Sequence, residues 1–352
     1  MGDIAKGVLV GAWTLLVGWI LPTTINLAML CFTVAPSLDG VVNTTRLRPT
    51  TPVGATLLLV FSVLFGLIMN AMQSPLYRIL EGYLLWPQSL YLRRCHRHQA
   101  LRTTLDERLQ LLRLEREARH RSLEEHEQET LQRLQTSPEL EQWRNRDRFR
   151  GLVQRALLLE QLARYPVDPD QIAPTRLGNA IRRFEEYGHD RYRLDTQLLW
   201  HELNAAAPEQ ARRQVDTART SVDFFVALLY GHALVTVIAM GSLGASRADP
   251  VPLIATAAAT AALIPVWYRT AVAACDDWAA AVRALVNVGR APLAHALGLA
   301  LPKSLVEERS MWTLVSKFTR IPYDDPAVAL DRFRRDLEPL DTPPPGTSGP
   351  VS

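Results

Sequence analysis

Uncharged apolar runs and charged runs follow each other along the chain in a fixed order: two apolar stretches, a charged middle, two more apolar stretches and a charged end. Gly7 to Pro36, Pro52 to Gln73, Phe224 to Ser246 and Val251 to Tyr268 contain no Asp, Glu, Lys or Arg. About 20 helical residues cross a hydrocarbon core of ~30 Å, and only helices or closed barrels satisfy their backbone hydrogen bonds in lipid. The runs lack the period-two alternation of barrel strands, so they read as helices. The pattern predicts an all-α integral membrane protein with four transmembrane helices in two pairs, residues 7–36 with 52–73 and 224–246 with 251–268. A helical cytoplasmic domain lies between the pairs. The first run reads as a retained helix rather than a signal peptide, because its apolar run is too long and has no small-residue cleavage site.

Orientation follows from cations beside the spans. With the amino terminus inside, the inner flanks hold Lys6, Arg78, Arg93, Arg94, Arg97, Arg212, Arg213, Arg219, Arg269 and Arg283, and the outer loops hold Arg46, Arg48 and Arg247. This bias predicts an inner (cytoplasmic) membrane protein with both termini and residues 74–221 in the cytoplasm.

Residues 1–74 and 221–268 are thus the two membrane pairs, and residues 75–100 read as an interfacial segment. There Tyr77, Tyr83, Trp86 and Tyr91 interleave with aliphatic residues ahead of Arg93, Arg94 and Arg97. Aromatic rings favour the headgroup layer, and each arginine there attracts anionic lipid by about 1 kcal/mol, so these three are the expected anionic-lipid contacts. Residues 101–220 read as the cytoplasmic helical domain. It opens with a long solvated helix over about 101–135, which has no Pro or Gly and carries i,i+4 Glu–Arg pairs. A heptad through Leu105, Leu109 and Leu112 raises a two-stranded coiled coil, but Arg116, Arg119 and His126 interrupt its seam. Ser137-Pro138-Glu139 starts a second helix to about Tyr165; shorter ones follow near 175–187 and 194–204. The fourth span continues to about Val288, where Gly289 and Pro292 are expected to end it. Residues 269–341 form a helical extension and 342–352 a disordered tail. Trp278, Val282, Leu285, Trp312, Leu199 and Trp200 are expected to pack as one core.

Pro174-Thr175-Arg176-Leu177-Gly178-Asn179, Glu186-Tyr187, Tyr192 to Asp195, Leu199-Trp200, Trp278 to Arg290 and Leu299 to Trp312 resemble segments of uncharacterised bacterial multi-pass membrane proteins. The resemblance implies a shared folded unit of loop and tail and carries no activity.

Three of the 39 cations are lysine and the rest arginine, a bias of GC-rich bacterial coding that weakens any inference to phosphate recognition. Leu92 to Thr220 balances 24 cations against 21 anions, so no nucleic-acid surface is expected. Cys31, Cys95 and Cys275 are expected to be reduced. No phosphate loop, dinucleotide fingerprint or nucleophile elbow occurs, and neither Cys95-His96-Arg97-His98 nor His189, Asp190, Asp195, His201 and Glu202 has metal-site spacing. No catalytic residue, cofactor or metal is therefore expected.

Within the first span, Pro22 frees a carbonyl beside Thr23, Thr24 and Asn26. Gly7, Gly11 and Gly18 form a small-residue face, so with Pro22 and Asn26 they are the candidates for a membrane cavity or a helix seam. The expected function is a non-enzymatic membrane assembly, either a channel-like homo-oligomer or a scaffold whose cytoplasmic domain docks a protein partner. The alternative is a membrane enzyme or transporter acting on a lipid or another small molecule.

Overall fold

A computed structural model describes residues 11–38, 49–246, 248–322 and 329–334. Gly7, Lys6, Arg46, Arg48, Arg247 and the tail at 342–352 lie outside the described residues. The described part is helical, without β-strands. Four helices are long and apolar enough to cross a membrane: α1 (Gly11–Leu38), α2 (Pro52–Ala71), α10 (Glu209–Ser242) and α11 (Pro250–Ala296). Between them run α3 (Gln73–Glu81), α4 (Gln88–Glu117), α5 (Glu125–Thr136), α6 (Pro138–Leu162), α7 (Arg176–Glu185), α8 (Tyr187–Tyr192) and α9 (Trp200–Ala206), and α12 (Leu305–Phe318) follows α11. The chain divides into two compact units, the first from Met1–Glu185 and Arg212–Arg283, the second from Glu186–Ala211 and Ala284–Ser352.

In the first unit the apolar helices meet through small residues. A Cβ on Gly66 of α2 would lie 2.8 Å from the Ile20 side chain, and one on Gly18 would lie 3.3 Å from the Cβ of Asp223. Val34 packs with Ala239, Leu253 and Ala257, and Trp19 with Leu76 and Ala227. Thr236 and Thr260 hydroxyls share a hydrogen bond of 2.7 Å between α10 and α11. Leu59, Val60, Leu64 and Phe65 of α2 remain exposed, as side chains facing lipid would be.

Pro22 is accommodated within continuous helix. Leu16–Ile20, just before it, is a single π-turn within the helix. Thr23 donates to Trp19 O at 2.7 Å, Thr24 to Ile20 O at 2.8 Å, and the Asn26 amide to Pro22 O at 2.7 Å.

The long helix expected over 101–135 is two helices. α4 ends at Glu117, and Glu124 with Glu127 forms a reciprocal capping box that starts α5. Arg121 ties the bend by pairing with Glu117 at 2.5 Å and Glu127 at 2.7 Å. The polar residues that interrupt the heptad therefore sit at or beside a reversal. Leu111 and Leu114 pack against Leu134 and Leu140 of the same chain, while Leu105 and Leu109 meet Leu158. A continuous coiled-coil strand through 101–135 is excluded by this fold-back.

Gly289 and Pro292 do not end α11, which runs to Ala296. In the second unit a Cβ on Gly289 would lie 2.9 Å from Leu203 and 3.2 Å from Ala207, so this glycine permits close packing instead of stopping the helix. Arg290 pairs at 2.6 Å with the buried Glu308, which also accepts from the Trp312 indole at 3.2 Å. Tyr187 and Tyr192 both donate to Asn287. The six residues expected to form one core are divided. Leu199, Leu285 and Trp312 are buried and Trp200 is half-buried in the second unit, whereas Trp278 and Val282 belong to the first, where Trp278 packs on Phe184 with ring centres 4.7 Å apart.

Candidate functional site

The α4 and α6 helices run beside each other because each presents leucines at helical spacing, and one polar pair is buried in their seam. Arg108 donates through Nε and Nη2 to the two carboxylate oxygens of Asp147, both at 2.7 Å, and the side chains are 7% and 5% exposed. Removing two charges from water is costly, and the fork-shaped double hydrogen bond offsets much of that cost. The Trp143 ring, one turn before Asp147, carries the Arg108 guanidinium at 4.6 Å and that of Arg146 at 4.4 Å.

This seam forms one wall of a cavity of about 860 Å³. Arg108 comes from α4, Trp143 and Arg146 from α6, Arg164 and Tyr165 from the turn after it, Arg176 from α7, and Tyr268 and Arg269 from α11. Five arginines thus face one carboxylate lining the cavity, Glu139. Two of the five are neutralised: Arg108 by Asp147, and Arg164 by Asp276 at 2.5 Å and Glu160 at 2.8 Å. Among the described residues Arg146, Arg176 and Arg269 have no ion-pair partner.

The α7 wall is set by the segment Pro174 to Asn179. Thr175 caps the Gly178 N–H at 3.0 Å and donates to Leu80 O at 2.5 Å, and Gly178 lets α7 approach Glu81. Asn179, fully buried, bonds the Ala173 backbone in both directions. Tyr268 fixes α11 to α7 by accepting from the Leu177 N–H at 3.3 Å. Behind this wall His98 Nδ1 lies 3.1 Å from the Tyr165 hydroxyl. Burial first, and then the positive charge of Arg176, Arg94 and Arg97, lowers the His98 pKa to about 4.

The sequence-predicted residues fall elsewhere. Arg93, Arg94 and Arg97 are exposed along α4, with Cys95 and His98 buried beside them. Leu84, Leu85, Leu90 and Leu92 are exposed just before or among them. Gly18, Pro22 and Asn26 are buried, and Asn26 lies against Gly231 of α10. Gly11 has nothing within 4 Å of an added Cβ. The three cysteines are free thiols. Asp195 is paired with Arg320 at 2.6 Å, and among the described residues no three His, Cys, Asp or Glu side chains gather as a metal site.

Two features escaped the sequence reading. Asp223, next to the third apolar run, is 7% exposed and accepts from Tyr77 at 2.7 Å and Gln73 at 3.3 Å. Its signal was an acid directly against an apolar run, four residues after Arg219. The Arg108–Asp147 pair had no local signal, since its members are 39 positions apart. Compared with protein-family models, curated proteins and solved structures, the chain matches none.

Proposed function

We propose that this chain is a non-enzymatic integral membrane scaffold of a cell inner membrane, with residues 74–221 and both termini in the cytoplasm. The observation that carries this reading is the continuity of α10 and α11, whose 34 and 47 residues exceed the roughly 20 needed to cross a bilayer. Each is uncharged over one part and charged over the rest, so the same rigid helices serve the membrane and a cytoplasmic helical layer. The exposed Arg93, Arg94 and Arg97, beside Leu84, Leu85, Leu90 and Leu92, form an edge suited to anionic headgroups. Phe149, 93% exposed, with Leu152 and Val153 beside the kink at Gly151, offers an apolar patch to a cytoplasmic protein partner. Gly11 leaves room for close approach by a second copy of α1. The scaffold reading is favoured over a pore because Asn26, the polar group expected to line one, is packed against Gly231.

Cysteines placed at Ser246 and Gln135 and probed with an impermeant thiol reagent test the topology. Labelling is expected at 246 from outside and at 135 from inside; outside labelling at 135 overturns the orientation. Ion flux through reconstituted protein that is abolished by Asn26→Leu would replace the scaffold with a channel.

A further inference from the structure

We propose that the cavity between α4, α6, α7 and α11 binds a phosphate-bearing anion through Arg146, Arg176 and Arg269. Three observations converge on it. The cavity, at about 860 Å³, has the size of a small-molecule site. Its arginines come from three helices, yet the acids that would neutralise them are used up: Asp147 by Arg108 and Asp276 by Arg164. Glu139 alone of the lining residues opposes the three remaining guanidiniums. A concave surface with two uncompensated positive charges attracts and focuses anions.

The chemistry of the lining narrows the class. Guanidinium forks match phosphate oxygens, often in pairs of parallel N–H···O bonds. Tyr165 and Tyr268 add aromatic walls, and Gln142 and Gln161 add amide donors and acceptors. This lining suits a phosphate ester attached to a ring or polyol better than a bare inorganic ion. The paired arginines hold the walls in place: Arg108–Asp147 fixes Trp143, and Arg164–Asp276 joins the end of α6 to α11. The binding arginines are thereby mounted on a rigid frame, which lowers the entropy lost on ligand capture.

Two sources could supply that phosphate. Tyr268 ends the uncharged part of α11 and Arg269 is its first charge, so a phospholipid headgroup is one source. That source rests on the membrane reading above. A soluble phosphate ester is the other and is independent of it.

The test uses the full chain in phosphatidylcholine nanodiscs, with calorimetric titration of inorganic pyrophosphate and of inositol hexakisphosphate. In parallel, native mass spectrometry of protein from mixed phosphatidylcholine and phosphatidylglycerol micelles counts retained lipids. R146Q/R176Q/R269Q is compared with R93Q/R94Q/R97Q, which alters the exposed edge alone. A loss of at least about tenfold in soluble-anion affinity in the first variant and not the second supports a soluble ligand. Loss of retained phosphatidylglycerol in the first variant beyond that in the second supports a headgroup. Wild-type protein that prefers neither anion nor anionic lipid overturns the proposal, whether or not the variant folds. Equal binding by wild type and a folded first variant overturns it as well. Should the glutamine variant misfold, R146K/R176K/R269K, which keeps charge and loses the fork, is expected to bind severalfold more weakly; unchanged binding counts against the site. Failure of the membrane reading shows separately, as protein that stays soluble without detergent.

Discussion

A Cβ added to Gly231 would lie 2.1 Å from the amide nitrogen of Asn26, closer than two non-bonded atoms can approach. The carboxamide of α1 therefore occupies the space left by a missing side chain on α10. Gly231→Ala is expected to force the helices apart and lower stability by about 1–3 kcal/mol, as overpacking does. Asn26→Ala should rescue much of that loss, and thermal melts in detergent of both single variants and the double variant measure the coupling. Additive effects would show that the contact carries no energy. Gly11→Leu, at an open position, should leave the monomer's melting unchanged.

Removing one member of the Arg108–Asp147 pair leaves the other charge buried. Asp147→Ala or Arg108→Ala is expected to cost about 3–5 kcal/mol, while the double change Arg108→Met with Asp147→Leu should cost less than either. Breaking the exposed pair Arg113–Glu117, whose side chains are 62% and 28% exposed, with Arg113→Ala should cost far less than either single change. Chemical denaturation followed by circular dichroism ranks the four. A double variant worse than both singles would refute the account.

Tyr77 donates to Asp223 from a buried position, and its own hydroxyl is held protonated, its pKa raised by burial and by the Asp223 charge. Tyr77→Phe removes a hydroxyl donor that lies 2.7 Å from a buried carboxylate and should destabilise the protein by about 1–3 kcal/mol. Asp223→Asn, which keeps an acceptor, should weaken the Tyr77→Phe effect. Melting curves of the four-membered cycle test this.

His98 is neutral in the fold because its pKa falls from 6.5 to about 4. Between those values the unfolded chain binds the proton and the folded chain does not, so stability should fall as pH drops from 6.5 towards 4. His98→Gln keeps the ability to bond Tyr165 and should flatten stability in this window. An unchanged pH slope in the variant would assign the dependence to other groups.

The four apolar runs were legible because lipid-scale hydrophobicity is a property of composition, and α2 at Pro52–Ala71 lies within two residues of its expected end. The break between α4 and α5 was not. Helix-favouring residues run through it, and the reversal depends on Leu134 and Leu140 meeting Leu111 and Leu114, a long-range term that no local pattern encodes. Gly289 misled for a related reason: a glycine that ends a helix and one that admits Leu203 look alike in sequence. The individual residues of the arginine cavity were visible as scattered cations. What distinguished Arg146, Arg176 and Arg269 from the others was the pairing of Arg108 and Arg164 with distant acids, which only the folded chain reveals.

The 47 residues of α11 make a rod of about 70 Å at 1.5 Å per residue. Pro265 and Pro292 lie inside it and cannot donate to the backbone ladder, so bending is easiest at these two places. Spin labels on either side of Pro265, both within the first unit, would read such bending as a change in their separation.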